Sequence, residues 1–259
     1  MEWEISTIGR IPKLRDAVLI EGLPGIGNVG KLAVDFLIQE LKPKKIYEFF
    51  SYSFPHSVFV NEQNLVDLPK IELYYTEVKG VPLLLLAGDT QPIDEVSSYH
   101  FSNQVLELAQ KLGTKEVITI GGIGLSNVPM TPQVFCTGNC KDIVKKYKNG
   151  TKINDKIFGV VGPIVGVSGL LVGLSTKKNM KAVSLLAETY GHPMYMGFRG
   201  AKEVIHVLNY KFGLNLDTRK IDREIKKLEE VDEEDVADEA PKSKKLPPMK
   251  SVWDRSYIG

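Results

Sequence analysis

Three glycines in VLIEGLPGIGNVGKLAVDFLIQE, residues 18 to 40, raise the first chemical question. Gly25, Gly27 and Gly30 have the spacing G-x-G-x-x-G, between an apolar run and an amphipathic one. Such a loop lets backbone approach a pyrophosphate, and the helix behind it offers unpaired N–H groups and a positive dipole end. A dinucleotide site also needs an acid about 20 residues on, at the end of the second strand. Glu48 is near that distance but lies inside IYEFF. A P-loop needs a hydroxyl after Gly30-Lys31, and Leu32 stands there instead, so Lys31 reads as a solvated helix residue. The triplet is thus a candidate anion loop, to be weighed against a strand-to-helix turn whose glycines permit close packing.

Other groupings carry less chemistry. Glycine turns at 121–124 and 162–169 would add N–H groups to an anion-binding rim at the strand ends. Ser168 in GVSGLL lacks the preceding glycine that a nucleophile elbow requires. Asp89 and Asp94-Glu95 follow an apolar run, where sites of open α/β sheets gather, although helix capping explains Asp94 equally well. Cys136 and Cys140 have no nearby histidine to complete a zinc set and read as free thiols. His56, His100, His192 and His206 are scattered singly. No residue is assigned a catalytic, cofactor-binding or metal-binding role.

The elements that must hold these residues alternate. AVLIEG (17–22) reads as a buried strand. Val29, Leu32, Ala33, Phe36, Leu37 and Leu41 make one helical stripe, ended by Lys42-Pro43. KIYEFFSY then completes a β-α-β unit. VFV, IELYYTEV and VPLLLLAGD suggest antiparallel hairpins, the second closed by Lys79-Gly80. A helix after Asp94 aligns Val105, Leu108, Ala109 and Leu112, capped by Gly113. EVITIGGIG is a core strand, KIFGVVGPIVGVSGLLVG combines a strand with a glycine-rich turn, and AVSLLAETY is read as a strand. A last helix from about Gly200 aligns Ala201, Val204, Ile205, Leu208 and Phe212. The pattern predicts a three-layer α/β sandwich over 1–216, with a mostly parallel central sheet and a β-hairpin insert.

With 259 residues, 43% hydrophobic and 25% charged, the chain is long enough for one large α/β domain. A formal net charge of +1 provides no global field to gather nucleic acid. No apolar run approaches the roughly 20 residues of a membrane span. The polar start MEWEISTIGR reads as no signal peptide, and two cysteines make no disulfide framework, so a cytoplasmic location is expected.

Beyond residue 216 the composition shifts. Residues 217–231 suit a charged helix seamed only by Ile221, Ile225 and Leu228. Between Glu229 and Glu239 there are eight acidic residues and no basic one, and APKSKKLPPMKS follows, so 232–250 is expected to be a flexible linker. A 19-residue linker of this kind would reach on the order of 25 Å. It leads to an aromatic, apolar tip, VWDRSYIG, and 251–259 is read as a docking segment.

LIEGLPGIGNVGKLAVDFLI, GDTQP, ITIGGIG and GVVGPIVGVSGLLVG, in that order over roughly residues 1–215, resemble the archaeal form of the proteasome assembly chaperone family, itself similar to the second eukaryotic assembly chaperone. The resemblance implies a phosphorylase/hydrolase-like α/β fold, homo-oligomerisation, and binding to α-subunits of the proteasome core particle. It also implies docking by a C-terminal hydrophobic residue, a tyrosine and any final residue, with the terminal carboxylate paired to a lysine. Here Tyr257 is third from the end, followed by Ile258 and Gly259 and preceded by Ser256, one place off that pattern. Val252, Trp253 and Tyr257 together would make a broader anchor. The expectation is a non-enzymatic, homo-oligomeric chaperone or activator that uses Val252, Trp253, Tyr257, Ile258 and Gly259, with no cofactor, nucleic acid or membrane partner. The alternative is a nucleotide- or phosphate-binding α/β enzyme built on the glycine loops.

Overall fold

The computed structural model describes residues 3–9, 13–159, 161–223 and 225. Along the chain run β1 (Glu4–Thr7), β2 (Ala17–Gly22), α1 (Val29–Leu41), β3 (Lys44–Phe50), β4 (Phe59–Val60), β5 (Val66–Asp67), β6 (Ile71–Val78) and β7 (Val81–Gly88). They are followed by α2 (Glu95–Lys111), β8 (Thr114–Leu125), β9 (Val134–Gly138), α3 (Lys141–Lys148), α4 (Val167–Ser175), β10 (Lys181–Tyr190) and α5 (Phe198–Phe212).

The main sheet has the order β1-β3-β6-β7-β2-β8-β10-β9. Its four central strands, β7, β2, β8 and β10, are mutually parallel, and the pairs toward either edge are antiparallel. Parallel neighbours need crossovers, and the helices supplying them cover both faces. Alternation along each strand sorts the core. On β2, Val18 and Ile20 join the layer of α1 and α5, whereas Ala17 and Leu19 join that of α2 and α4. β7 divides likewise, with Leu83 and Leu85 on one side and Leu84 and Leu86 on the other. The three-layer sandwich expected from the alternating pattern is the fold observed.

The hairpin insert is present but differently wired. Lys79 and Gly80, at φ 50° and 79°, form the tight turn joining β6 to β7, which is where left-handed backbone favours glycine. That hairpin lies between β2 and β3, so the two strands of the β-α-β unit are not neighbours. VFV does not pair with β6. Its Phe59 and Val60 pair with β5 in a separate two-stranded ribbon.

Two further expectations are corrected. KIFGVVG forms no strand among its described residues, only an isolated bridge between Phe158 and Val161. Glycines at 159, 162 and 166 and Pro163 punctuate it. The apolar run after Gly166 is the helix α4, whose Val167, Leu171 and Val172 face the core. The charged helix expected after residue 216 is helical over 219–223 and at 225, with Ile221 buried and Ile225 packed on the core. Its remainder, the linker and the docking segment lie outside the described residues.

Candidate functional site

β2 connects through α1 toward one edge of the sheet, while β8 connects through β9 and α4 to β10 on the other side. The connections diverge between β2 and β8, a topological switch point of the kind that opens a crevice at the strand C-termini. A cleft of about 400 Å³ lies there, lined by the loop after β2, the end of β8 and the segment leading into α4.

The glycine triplet divides at this place. Gly25 and Gly30 line the cleft, and a Cβ on Gly25 would meet open space. Gly30 brings α1 onto the sheet: a Cβ there would stand 2.4 Å from the Ile120 carbonyl oxygen. Gly27 faces Thr189 at φ 60° and takes no part in lining the cleft. The glycine turns 121–124 and 162–169 do converge here, through Gly121, Gly122, Gly124 and Gly162. The three loops thus lie side by side at the strand ends, while close packing explains two of the three glycines in the triplet.

Beneath the cleft lies a residue that sequence reading passed over. Glu21, fully buried near the end of β2, accepts the Leu23 N–H (3.0 Å) and the Ser168 hydroxyl (3.2 Å) on Oε1. Its Oε2 has no partner. Burial pushes the carboxyl from the ordinary 4.5 up to about 7, against the lowering effect of those two donors. In register beside it on β8 and β10 stand Thr119 and Ser184, whose hydroxyls are also buried without partners. Ser168 itself lines the cleft at the start of α4. Gln91 joins the walls by donating Nε2–H to the Pro24 carbonyl and accepting the Val167 N–H (3.1 Å) on Oε1. A lone acid in AVLIEG was the available signal, but Ser168 lies 147 residues away in sequence.

The other candidates are dispersed. Glu48 is on β3, bound to Lys45 (3.1 Å) and separated from β2 by β6 and β7. Lys31 is no freely solvated residue. Its Nζ donates to the Gly88 carbonyl (3.2 Å) and pairs with Asp35 (2.9 Å) and Asp89 (3.8 Å). Asp94 caps α2 by accepting the Ser97 N–H. Cys136 is buried, and burial pushes its thiol up to about 11. A larger hollow of about 840 Å³ runs along α5 and the loop after α3, but it lies at the β9 side of the sheet, where Lys148 and Asp155 already pair (2.7 Å). Size alone does not pick the site; the switch point and the unpaired Glu21 favour the smaller cleft. Val252, Trp253, Tyr257, Ile258 and Gly259 lie outside the described residues.

Fold and cleft together define an α/β sandwich with a glycine-lined crevice at its switch point. The chain belongs to the PAC2 family, whose model matches residues 19–234. This bears out the resemblance carried by the four sequence motifs. The structure is similar to that of Pyrococcus furiosus PbaB, described as an archaeal proteasome activator: 34% identity, TM-score 0.82, covering 91% of this chain and 99% of that one. It is also similar to Pyrococcus furiosus PbaA, described as an archaeal homolog of proteasome-assembly chaperone: 25% identity, TM-score 0.74, covering 90% of this chain and 92% of that one. An uncharacterized Methanocaldococcus jannaschii protein is 29% identical over 252 residues, 96% of this chain and 95% of its own length. Among the described residues no helix is long and apolar enough to cross a membrane.

Proposed function

We propose that this protein is a non-enzymatic chaperone or activator of the proteasome core particle that binds the particle's α-ring. The observation that carries the reading is the likeness to PbaB, at 34% identity over nearly the whole of both chains. Docking is assigned to residues 251–259, where Trp253 and Tyr257 would fill apolar pockets between ring subunits and the terminal carboxylate would meet a cation. The acidic run and Pro/Lys-rich stretch before it would set the reach. Several such arms on one homo-oligomer would engage a ring multivalently, so a weak tip still gives useful avidity. Self-association is supported by the β4–β5 ribbon and its flanks, where Val58, Val60, Leu65, Val66 and Leu68 are all more than half exposed.

A pull-down with purified archaeal proteasome α-subunits tests this. Full-length protein is expected to be retained and a chain ending at residue 250 to be lost, with unchanged melting of the globular part. Equal retention of the shortened chain would overturn docking by the tail, and no retention of either would overturn the proteasome reading itself.

A further inference from the structure

The face around α3 carries a charge that neither the core nor the switch-point cleft uses. Between Lys141 and Lys156 stand six lysines and two aspartates, and all six lysines are exposed. Lys146 is held by Glu116 (2.6 Å) and Lys148 by Asp155 (2.7 Å). Lys141, Lys145, Lys152 and Lys156 form no ion pair with any described residue. Three hollows, of about 840, 690 and 660 Å³, adjoin along this face, and Lys148 lines all of them. Lys152 and Lys156 line the largest, whose walls include Ile153 and Val207.

This local surplus has a counterweight in the sequence. The whole chain carries only +1, because residues 229–239 hold eight acids and no base. The described backbone leads toward the lysine face. Ile221 is buried in the layer of α1 and α5, and Ile225 packs against it. Lys220 pairs with Glu40 at the end of α1, and Asp222 with Lys202 on α5. The next residue of α5, Glu203, already lines the largest hollow, with His206 and Tyr210 further along the helix. Beyond Ile225, four residues span up to about 14 Å, more than the width of a helix. Glu229 can therefore stand across α5, where the hollow opens, with the rest of the run passing Lys152 and Lys156 toward α3.

We propose that the acidic run 229–239 docks on the lysine face of its own chain, across the hollow between α5 and α3 and onto the exposed side of α3. One exposed ion pair contributes little, but a short tether holds the run at an effective concentration of about millimolar, so several weak pairs act together. Val231 and Val236 within the run would meet the apolar part of the hollow. A second copy offers the same acids without the advantage of the tether. A nucleic acid would have to displace acids that are always present, from a chain with no global positive field. The docked run would shorten the free arm to 240–250, with a reach of about 18 Å in place of about 25 Å. That consequence rests on the proteasome reading; the contact itself does not.

The test is zero-length carbodiimide coupling of lysine amines to carboxylates in the full chain, with no proteasome present. Linked peptides are identified by mass spectrometry from the monomer-sized band of a denaturing gel. Carboxylates of 229–239 are expected on Lys152 or Lys156 and also on Lys141 or Lys145, with a yield that falls about fivefold or more between about 20 mM and about 500 mM salt. Lys152→Glu combined with Lys156→Glu, both at exposed positions, should melt like the parent and cut the links at the untouched Lys141 and Lys145 by about fivefold or more. Links confined to the run's sequence neighbours, such as Lys226, Lys227, Lys242 and Lys244, would overturn the proposal. So would links found only in a dimer-sized band, which assign the face to a second copy. A yield indifferent to salt, full yield in the double variant, or tight binding of duplex DNA by the parent at about 0.15 M salt would each overturn it as well.

Discussion

Two glutamates on adjacent central strands are both buried, and the protein treats them in opposite ways. Glu116, near the start of β8, accepts Lys146 Nζ on Oε2 (2.6 Å) and the Tyr147 hydroxyl on Oε1, both from α3. Glu21, near the end of β2, has a serine and a backbone N–H on one oxygen and nothing on the other. One lies toward the strand starts, where a cation makes burial tolerable. The other lies toward the strand ends, where sites of open α/β sheets form, and keeps its carboxyl without a counter-ion. The contrast marks one end of the sheet as built for holding the fold and the other as built around a polar, incompletely satisfied floor.

The largest way to sharpen this contrast is a pH titration of stability. Glu21 has its folded pKa raised from 4.5 to about 7, so between these values the native state holds a proton the unfolded chain has released. Stability is then highest below about pH 4.5 on this account, and falls as pH rises toward 7, by about 3 kcal/mol. Urea unfolding of the parent and of Glu21→Gln across that range should show the slope in the first and its loss in the second. Next comes Gly30→Ala, which drives a methyl into the Ile120 carbonyl and should cost about 2 kcal/mol by overpacking. A smaller effect is expected at the other end of the sheet. Tyr147→Phe removes the donor to Glu116 Oε1 but leaves Lys146 in place, so the loss should be about 1 kcal/mol in urea melts. Smallest is Gly25→Ala, in extended backbone with open space around the new methyl, expected to change stability by less than about 0.5 kcal/mol. A large loss there would deny that Gly25 faces an open cleft.

Much of this architecture was legible from periodicity. The stripes of α1, α2 and α5 repeat at helical spacing, and the structure places the helices where those stripes predict. Gly80 marked the turn after Lys79, because glycine takes a positive φ without steric cost and apolar runs flank the pair on both sides. Short elements were harder. β1, β9 and α3 went unread: α3 buries only Ile143 and Tyr147 in a run of lysines, too few apolar positions to show a period. The sequence of α4 reads equally as part of a strand and turn, because its glycines and leucines fit several patterns at once.

The amino-acid sequence by itself determined the layered α/β class, the glycine loops at the strand ends and the family motifs. These are local: each depends on residues within a turn or two of one another, or on the order of a few short strings. Only the tertiary structure decided which glycines open a cleft and which merely let backbones touch, since Gly30 and Gly27 meet Ile120 and Thr189 from distant strands. It alone brought Ser168 onto Glu21, because a buried acid's partner is set by how α4 packs on the sheet and not by spacing along the chain.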